Sequence, residues 1–405
     1  MKKISLLLGS GISIPAGLPG TLEITNEILC QWNKWYKCDS QYQQKANSGQ
    51  SKEYFDNSPY SDYPRKVAYF LNLINKEIIQ YYGYVAKVDI VQNYEEIYDF
   101  VYHIKQALTR NIDNPLTNRI IQSLVHSIEP IFPRNQDKYQ ELILLCDESM
   151  QYMKNVIYAK LTKKPCFIDY LGIISKLVSQ KKLKSIFTLN HDKIIESYLK
   201  KNEIEYYDGF DQKEENGVRF WKPDFQENQD KLQFLKLHGS IDWFNFRTDD
   251  RASLNIEKVG VLEKWNSEDD VTITINGQEY RVDKFPNFLT GTNDKYLEYN
   301  YGLYLELFYQ FHRLLNETGV LIIAGYGFGD NAVNLRIIDW FSRNRSSKIE
   351  IITPNVDATI KNAKGAIYAR LQEWGPERVN FIEKGIQDVK YEDFKFFDSN
   401  FALRH

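Results

Sequence analysis

The sequence predicts an α/β fold in which helices flank a doubly wound parallel sheet, with a large helical insertion and a smaller insertion that contains a β-hairpin. Two observations lead to this fold class. Short apolar runs that end in glycine loops alternate with segments of helical periodicity, and two stretches of different character interrupt the alternation. The chain has 405 residues, of which 43% are hydrophobic, so it can bury a large core.

Each predicted strand of the sheet is a short apolar run, as expected of a strand that is buried on both faces. The first run, residues 3–8, ends in Gly9-Ser10-Gly11. The other runs lie at residues 184–189, 232–237, 320–324, 349–353 and 379–382. Helices are predicted at residues 193–201 and 331–341, and one more from Thr21 or Leu22 through Trp32 and Trp35.

The two insertions divide the chain into a core and two additional segments. The core is predicted to comprise residues 1–38, 161–240 and 302–405. Residues 39–160 form a mostly helical insertion, in which apolar residues recur at helical spacing after a polar surface loop at 39–62. Residues 241–301 form the second insertion, where Asn276-Gly277 between alternating runs predicts a hairpin turn.

Composition and charge exclude several classes of function. The chain has 51 basic and 54 acidic residues and a net charge of -3, so nucleic acid is not an expected direct partner. The apolar run after Met1-Lys2-Lys3 is too short for a signal peptide, and no run of 18 apolar residues predicts a membrane span. We therefore expect a cytoplasmic protein without a membrane partner.

The four cysteines do not predict a metal site. They are Cys30, Cys38, Cys146 and Cys166, and no two of them form a C-x-x-C pair. A four-thiolate zinc site usually has two such pairs, so we expect no structural zinc and reduced thiols.

Two motifs lie in the first half of the predicted sheet. Gly9-Ser10-Gly11-Ile12-Ser13, followed by Ala16-Gly17-Leu18-Pro19, comes after the first strand. Glycines there let the backbone approach a phosphate, although a tight turn alone would also explain them. Thr188-Leu189-Asn190-His191-Asp192 ends a second strand, where ligands bind in open α/β sheets. Asp192 could instead cap the next helix, and the His191-Asp192 pair also occurs in metal-dependent phosphohydrolases, whose other ligands we do not find.

Two further motifs follow later strands. In Leu237-His238-Gly239-Ser240, the histidine has the chemistry of a general base near neutral pH, or it could be bonded to a loop carbonyl. Gly325-Tyr326-Gly327-Phe328-Gly329-Asp330 joins a strand to a helix as a second dinucleotide-type turn or as a flexible loop. Thr353-Pro354-Asn355 ends the next strand and could line a ribose or adenine.

The four motifs together resemble the sirtuin family. Their order is G-x-G-I-S with A-G-L-P, then T-x-N-x-D, then L-H-G-S, then G-Y-G-F, each at the end of a strand. The resemblance covers about half of the chain and implies a Rossmann-like, sirtuin-like core that binds NAD. The two insertions have no counterpart in ordinary sirtuins.

The resemblance also implies roles for particular residues. Asn190 would help to place the attacking water near the nicotinamide ribose, Asp192 would face the nicotinamide carboxamide, and His238 would accept a proton from a ribose hydroxyl. The implied NAD-binding residues are Gly9, Ser10, Gly11, Ser13, Gly17, Pro19, Gly325, Tyr326 and Asn355. These residue types can assist cleavage of the nicotinamide–ribose bond without a metal.

Three departures from ordinary sirtuins favour water over a peptide as the acceptor. The paired-cysteine zinc module is missing, Gly20-Thr21 stands where the family has Phe-Arg, and the peptide cleft therefore has no evident walls. The pattern is most similar to bacterial sirtuin-like effectors of antiphage defence, which implies an oligomeric NAD hydrolase that depletes NAD. The chain has no P-loop and so brings no P-loop ATPase of its own. The resemblance to effectors of this kind implies a HerA-like ATPase as a partner.

Two other functions compete with an NAD hydrolase. A non-catalytic subunit could hold NAD or ADP-ribose and regulate a partner. A nuclease or nucleic-acid-binding subunit could use the helical insertion, but its Lys and Arg residues are scattered rather than clustered.

Overall fold

The computed structural model places most of the chain. It describes residues 3–38, 41–47, 61–86, 93–111, 115–132, 137–211, 217–248, 257–262, 272–283, 285–291, 299–300 and 302–397. Much of the predicted 39–62 loop and part of the 241–301 insertion lie outside these residues.

The described residues form fourteen β-strands and eleven α-helices. The strands are β1 Ile4–Leu8, β2 Trp35–Cys38, β3 Gln41–Gln44, β4 Leu183–Thr188, β5 Tyr206–Tyr207, β6 Arg219–Phe220, β7 Leu232–Lys236, β8 Trp243–Arg247, β9 Glu257–Val261, β10 Thr272–Ile275, β11 Gln278–Val282, β12 Val320–Ala324, β13 Lys348–Thr353 and β14 Val379–Glu383. The α-helices are α1 Thr21–Cys30, α2 Tyr63–Tyr81, α3 Tyr94–Leu108, α4 Pro115–Ile128, α5 Lys138–Leu161, α6 Gly172–Ser179, α7 Ile194–Lys201, α8 Gly302–Asn316, α9 Asn331–Arg343, α10 Val356–Asn362 and α11 Ala366–Glu373.

The chain divides into two compact units. Unit 1 comprises Met1–Leu18, Thr162–Leu289 and Lys295–His405, and unit 2 comprises Pro19–Leu161 and Thr290–Asp294. Unit 2 thus begins at Pro19, whereas the sequence places the start of the helical insertion at residue 39. The insertion boundaries inferred from the sequence stay predictions.

Unit 1 contains a seven-stranded parallel sheet with the order β14-β13-β12-β1-β4-β7-β5. From β1 the chain adds strands first toward β5 and then, from β12 onward, on the other side of β1. This is the doubly wound topology predicted from the sequence. The reversal lies between β1 and β12, and ligands of such sheets bind outside the carboxyl ends of the strands at that point.

The strands of this sheet are buried on both faces. In β1, Leu7 belongs to the apolar core on one face, while Leu6 and Leu8 belong to the core on the other. In β12, Ile323 lies in the same core as Leu7, and Ile322 lies in the same core as Leu6 and Leu8. Since helices cover both faces, the strands read as continuous apolar runs, and this is why the sequence revealed them.

A second sheet in unit 1 is antiparallel, with the order β10-β11-β8-β9-β6. The predicted hairpin is confirmed: Ile275 pairs with Gln278, and Asn276 and Gly277 form the turn with φ of 50° and 78°. Positive φ at both central residues is what this turn type requires. Phe244 and Phe246 of β8 are buried in the core of this sheet.

Unit 2 is mostly helical, as predicted for residues 63–160, and contains α1 to α5. The predicted helix from Thr21 through Trp35 is wrong in its second half. α1 ends at Cys30, and Trp35 begins β2, which pairs with β3. Trp35 is 1% exposed because it packs edge-on against Tyr152 of α5, and that packing favours the extended conformation over a longer helix. Among the described residues, no helix has the length and apolarity needed to span a membrane.

Candidate functional site

The four sequence motifs of unit 1 meet at the carboxyl edge of the parallel sheet. Hydrogen bonds join the first motif to the fourth and to the second, the second to the third, and the third to the fourth. The motifs therefore form a closed ring of contacts around the point where the strand order reverses.

The first and fourth motifs are packed backbone against backbone. Gly9 N donates to Ala324 O at 2.9 Å, and Gly11 N donates to Gly325 O at 2.9 Å. A Cβ on Gly11 would lie 2.8 Å from Gly325 Cα, and one on Gly325 would lie 2.5 Å from Ile12 N. Contact between the loops is thus sufficient to require these glycines, so glycine there is not in itself a sign of a phosphate.

Ser13 of the first motif connects two side chains of the second. Ser13 Oγ donates to Asp192 Oδ2 at 2.7 Å and accepts from Asn190 Nδ2 at 3.0 Å. The ionised carboxylate can only accept, so the serine proton points to Asp192 and the amide nitrogen of Asn190 must point to Ser13. Asn190 Oδ1 then faces away from Ser13, and it is buried without a hydrogen-bond donor among the described residues.

Both carboxylate oxygens of Asp192 accept hydrogen bonds from other groups of the protein. Oδ2 accepts from Ser13, and Oδ1 accepts from Ile194 N at 3.0 Å at the start of α7. The N-cap of α7 is Lys193, without a side-chain cap bond, so Asp192 does not cap the helix as considered from the sequence. It bonds to the first N–H of α7 from the residue before the cap, and its other oxygen orients Ser13.

The second and third motifs are hydrogen-bonded to each other. Leu237 N donates to Thr188 O at 2.9 Å and Ile241 N donates to His191 O at 3.0 Å. The rings of His191 and His238 have centroids 6.2 Å apart. Asn190 and His238 are consequently held on loops that are fixed to one another.

A buried lysine supports the back of these loops. Lys236 at the end of β7 is 3% exposed, and its Nζ donates to the backbone oxygen of Asp192 and lies 2.7 Å from Glu196 Oε1. Burial raises the pKa of the Glu196 carboxyl, and the lysine opposes that rise. Lys193 and Asp242 form a second ion pair at 2.7 Å beside it.

His238 is paired with Asp330 of the fourth motif. His238 Nε2 lies 2.9 Å from Asp330 Oδ2, and both side chains are buried. The other oxygen, Oδ1, accepts from Val333 N at 3.0 Å and caps α9. The hydroxyl of Tyr299 donates to Oδ2 at 3.1 Å.

Comparison with known families agrees with this arrangement. Residues 184–372 match the family model described as SIR2-like domain, an interval that includes Asn190, His238 and Asp330. This part of the chain is similar to SIR2-like domains. The match confirms the predicted sirtuin-like fold class, and the first motif, Gly9 to Pro19, lies outside the matched interval.

Solved structures similar to the chain include sirtuins. The structure of Sir2Tm bound to a propionylated peptide shares 12% identity, with 95% of this chain and 89% of that chain covered and a TM-score of 0.32. A Sir2 homolog–NAD complex shares 11% identity, with 96% and 86% covered and a TM-score of 0.36. No curated protein matches the chain.

The other predicted NAD-binding residues differ in exposure and in their contacts. Ser10 is exposed at the start of a 3₁₀-helix, Ser10–Ala16, that Gly17 ends with φ of 83°. Tyr326 folds back into its own loop, where its hydroxyl donates to Asn334 Oδ1 at 2.8 Å. Asn355 is exposed and caps α10 through Oδ1, and Pro19 is the first residue of unit 2.

Two functional candidates received no role from the sequence, namely Asp330 and Lys236. Asp330 stands directly before a predicted helix, and an N-cap would have explained it. Lys236 is a charged residue at the end of a buried parallel strand, which is a signal of a buried charge that needs a partner.

In the part of the chain that the structure describes, no three His, Cys, Asp or Glu side chains lie close enough together to hold a metal ion. The four cysteines are free: Cys30 and Cys166 are exposed, Cys38 is half-buried, and Cys146 is buried. Burial raises the pKa of the Cys146 thiol, so this thiol stays protonated.

Proposed function

We propose that the chain is an NAD hydrolase that cleaves the bond between nicotinamide and ribose. Water attacks the ribose carbon, the carbon–nitrogen bond breaks, and its electron pair leaves with nicotinamide. The products are nicotinamide, ADP-ribose and one proton. The proposal rests on the SIR2-like match together with the arrangement of Asn190 and His238 at the carboxyl ends of the neighbouring strands β4 and β7.

The observation that carries the proposal is the buried amide oxygen of Asn190. The side chain is 5% exposed, and Ser13 fixes the amide so that Oδ1 is the atom left without a partner among the described residues. A buried acceptor without a donor costs about 1–3 kcal/mol, which a ligand donor can offset. A water molecule or a ribose hydroxyl supplies such a donor, and Asn190 would orient either one for reaction.

His238 is the group that would receive the proton. It lies on the loop that is hydrogen-bonded to the loop of Asn190, at the carboxyl end of β7. Imidazole ionises near neutral pH and therefore suits a proton-accepting role there. Since nicotinamide leaves as a neutral group, the reaction needs no acid at that position.

Two glycines of the fourth motif leave room for a ligand. A Cβ on Gly327 or Gly329 would meet no atom of the described residues within 4 Å, in contrast to one on Gly325. Packing thus does not require glycine at these two positions, while close approach of a diphosphate to the backbone would. We propose that this part of the loop, together with Ser10, borders the NAD diphosphate.

We also propose a biological setting on the basis of the sequence motifs. The chain would deplete NAD in bacterial antiphage defence as a homo-oligomer in the cytoplasm, with a HerA-like ATPase as its partner. The motif resemblance supports this setting, and co-purification of the two chains followed by light scattering would test it.

NAD consumption by the purified full-length chain tests the activity. Products are separated by chromatography, and ¹H NMR distinguishes free nicotinamide from bound. We expect His238→Ala and Asn190→Ala to lower kcat by about 10²- to 10⁴-fold. The matched controls are His312→Ala and Asn202→Ala, whose side chains bond to the adjacent turn of their own helix, and these should retain wild-type turnover.

The alternative is a subunit that binds NAD without turning it over. Tight calorimetric binding, intact NAD after long incubation with the HerA-like partner, and unchanged binding in His238→Ala would favour that function and contradict hydrolysis.

A further inference from the structure

The contact between His238 and Asp330 connects distant parts of the sheet. His238 follows β7 and Asp330 follows β12, and β4 and β1 lie between these strands. Three strand spacings correspond to about 14 Å, so the two loops must reach over the sheet edge to meet. The resulting pair has Nε2 and Oδ2 2.9 Å apart, with both side chains about 5% exposed.

Asp330 makes more hydrogen bonds than the N-cap of a helix needs. Its backbone N–H donates to the Tyr326 hydroxyl at 3.2 Å, and that hydroxyl is itself fixed because it donates to Asn334 Oδ1 at 2.8 Å. Oδ1 accepts from Val333 N, which leaves Oδ2 for His238 and Tyr299. The carboxylate is thus fixed on both sides, and only one of its oxygens serves the helix.

Tyr299 gives Oδ2 a second permanent donor. Burial raises the pKa of the Tyr299 hydroxyl well above its usual value, and the Asp330 charge adds to the rise, so the hydroxyl keeps its proton. Its ring stacks on Phe308 with centroids 4.2 Å apart. Hydrogen bonds from Tyr299 and Val333 stabilise an ionised carboxylate, which can then only accept from His238.

We propose that Asp330 is a positioning residue for His238: it holds the neutral imidazole as the tautomer with hydrogen on Nε2, so that Nδ1 is the nitrogen that takes up the proton of the reaction. This inference deepens the proposed function and rests on it for its catalytic part. The imidazolium formed by proton uptake is then stabilised by the adjacent carboxylate. Among the described residues, the rings of His191 and Tyr299 also face His238, with centroids at 6.2 and 6.3 Å.

Asp330→Asn separates positioning from helix capping. Asparagine caps helices as well as aspartate, so its oxygen can still accept from Val333 N. Its NH₂ group then points to His238, where it donates and favours the opposite tautomer. A role limited to capping α9 predicts wild-type kcat in this variant, whereas positioning predicts a loss of kcat of about 10²-fold or more with little change in KM.

The experiment measures kcat, KM and the pH profile of NAD hydrolysis for wild type, Asp330→Asn, His238→Ala and the double variant, with thermal unfolding alongside. We expect Asp330→Asn to unfold like wild type, to lose kcat, and to move the acidic limb of kcat/KM to lower pH, because the carboxylate no longer stabilises the imidazolium. The double variant should lose no more than His238→Ala. Wild-type kcat, or losses that multiply in the double variant, would overturn the proposal.

A measurement without turnover keeps this inference separate from the proposed activity. In chain labelled with ¹⁵N-histidine, two-bond correlation spectra report which ring nitrogen carries hydrogen, and His238→Ala identifies the signal among six histidines. We expect hydrogen on Nε2 in wild type and on Nδ1 in Asp330→Asn. An Nδ1–H tautomer in wild type would refute the inference, whereas an Nε2–H tautomer in a chain that does not hydrolyse NAD would refute only the activity.

Discussion

Gly9 and Gly325 lie so close together that a Cβ added to Gly9 would stand 2.5 Å from Gly325 O. Real Cβ atoms do not approach backbone oxygen so closely, so one of the two loops would have to move. The first and fourth motifs are therefore a single packed unit, and Gly9, Gly11 and Gly325 are explained by packing before any ligand is considered.

Gly9→Ala should destabilise unit 1 by at least about 2 kcal/mol, because the loop that it would displace also carries the Gly11–Gly325 hydrogen bond. Urea unfolding, monitored by amide exchange in β1 and β12, measures the effect. Gly327→Ala is the matched control, since a Cβ there meets no atom of the described residues within 4 Å. Equal stability of the two variants would contradict the packing explanation.

Lys236→Met should cost about 3–5 kcal/mol, because it leaves the buried carboxylate of Glu196 without its cation and the backbone oxygen of Asp192 without a donor. Adding Glu196→Gln should recover part of that loss. The control is Lys201→Met, which removes an exposed pair with Asp169 and should change stability by less than about 1 kcal/mol. Denaturant midpoints of the three variants test this order, and a double variant less stable than Lys236→Met would refute it.

The pH dependence of stability should reveal the buried Glu196. Burial raises the pKa of its carboxyl above the usual 4.5, so the folded chain binds this proton more tightly than the unfolded chain does. The free energy of unfolding contributed by Glu196 is then present below 4.5 and is lost as pH rises through the raised pKa. Because Glu196→Gln lacks this titration, its stability relative to wild type should increase as pH rises across that interval.

Urea titrations of both chains at a series of pH values measure this difference. Glu203→Gln, at an exposed position, is the control and should follow wild type at every pH. A difference between Glu196→Gln and wild type that does not change with pH would contradict the effect of burial.

The sequence predicted the parallel sheet well because burial on both faces makes each strand a continuous apolar run. The run at 320–324 coincides with β12, the run at 184–189 is shifted by one residue from β4, and the run at 349–353 begins one residue after β13 does. The Asn276-Gly277 pair predicted the hairpin correctly because both residues adopt positive φ in its turn. In each case, residues that are close together in the sequence were sufficient to predict the element.

The parts that the sequence did not reveal depend on distant contacts. Trp35 lies in β2 because of Tyr152, more than a hundred residues away. The pairing of His238 with Asp330 joins loops after strands that are not neighbours in the sheet. Neither motif contains any local sign of that pairing, so the local pattern could identify the histidine but not its partner.

Ser13→Ala should disorganise the second motif without unfolding the sheet. The variant leaves Asn190 Nδ2 and Asp192 Oδ2 without their shared partner, so the amide of Asn190 can rotate. We expect a loss of about 1–3 kcal/mol in stability. The kcat of NAD hydrolysis should fall by at least about tenfold, because an unfixed Asn190 no longer presents Oδ1 to the ligand.

Ser13→Thr retains the hydroxyl and should recover more of kcat than of stability, since the added methyl group must fit a site that is 3% exposed. Ser179→Ala is the control, as this exposed hydroxyl donates to Lys176 O in its own helix. If Ser13→Ala kept wild-type kcat, the hydroxyl could not be what orients Asn190.

Trp35→Ala should destabilise unit 2 by about 3–5 kcal/mol, whereas Trp32→Ala should have a much smaller effect. Trp35 is buried, and its indole N–H donates to Glu27 Oε1 at 3.2 Å, while Glu27 also pairs with Lys160 at 2.8 Å. Removing the indole therefore leaves a cavity and takes one donor from a buried carboxylate. Trp32 is half-exposed and provides the same substitution without that burial.

Amide exchange resolves the two units separately in this experiment. Protection should fall in α1 and α5 of Trp35→Ala and stay unchanged in β1 and β12, because the side chain packs within unit 2. If Trp32→Ala lost as much protection as Trp35→Ala, the helix predicted through both tryptophans would describe unit 2 better than the β2–β3 hairpin does, since a helix would not bury Trp35 alone.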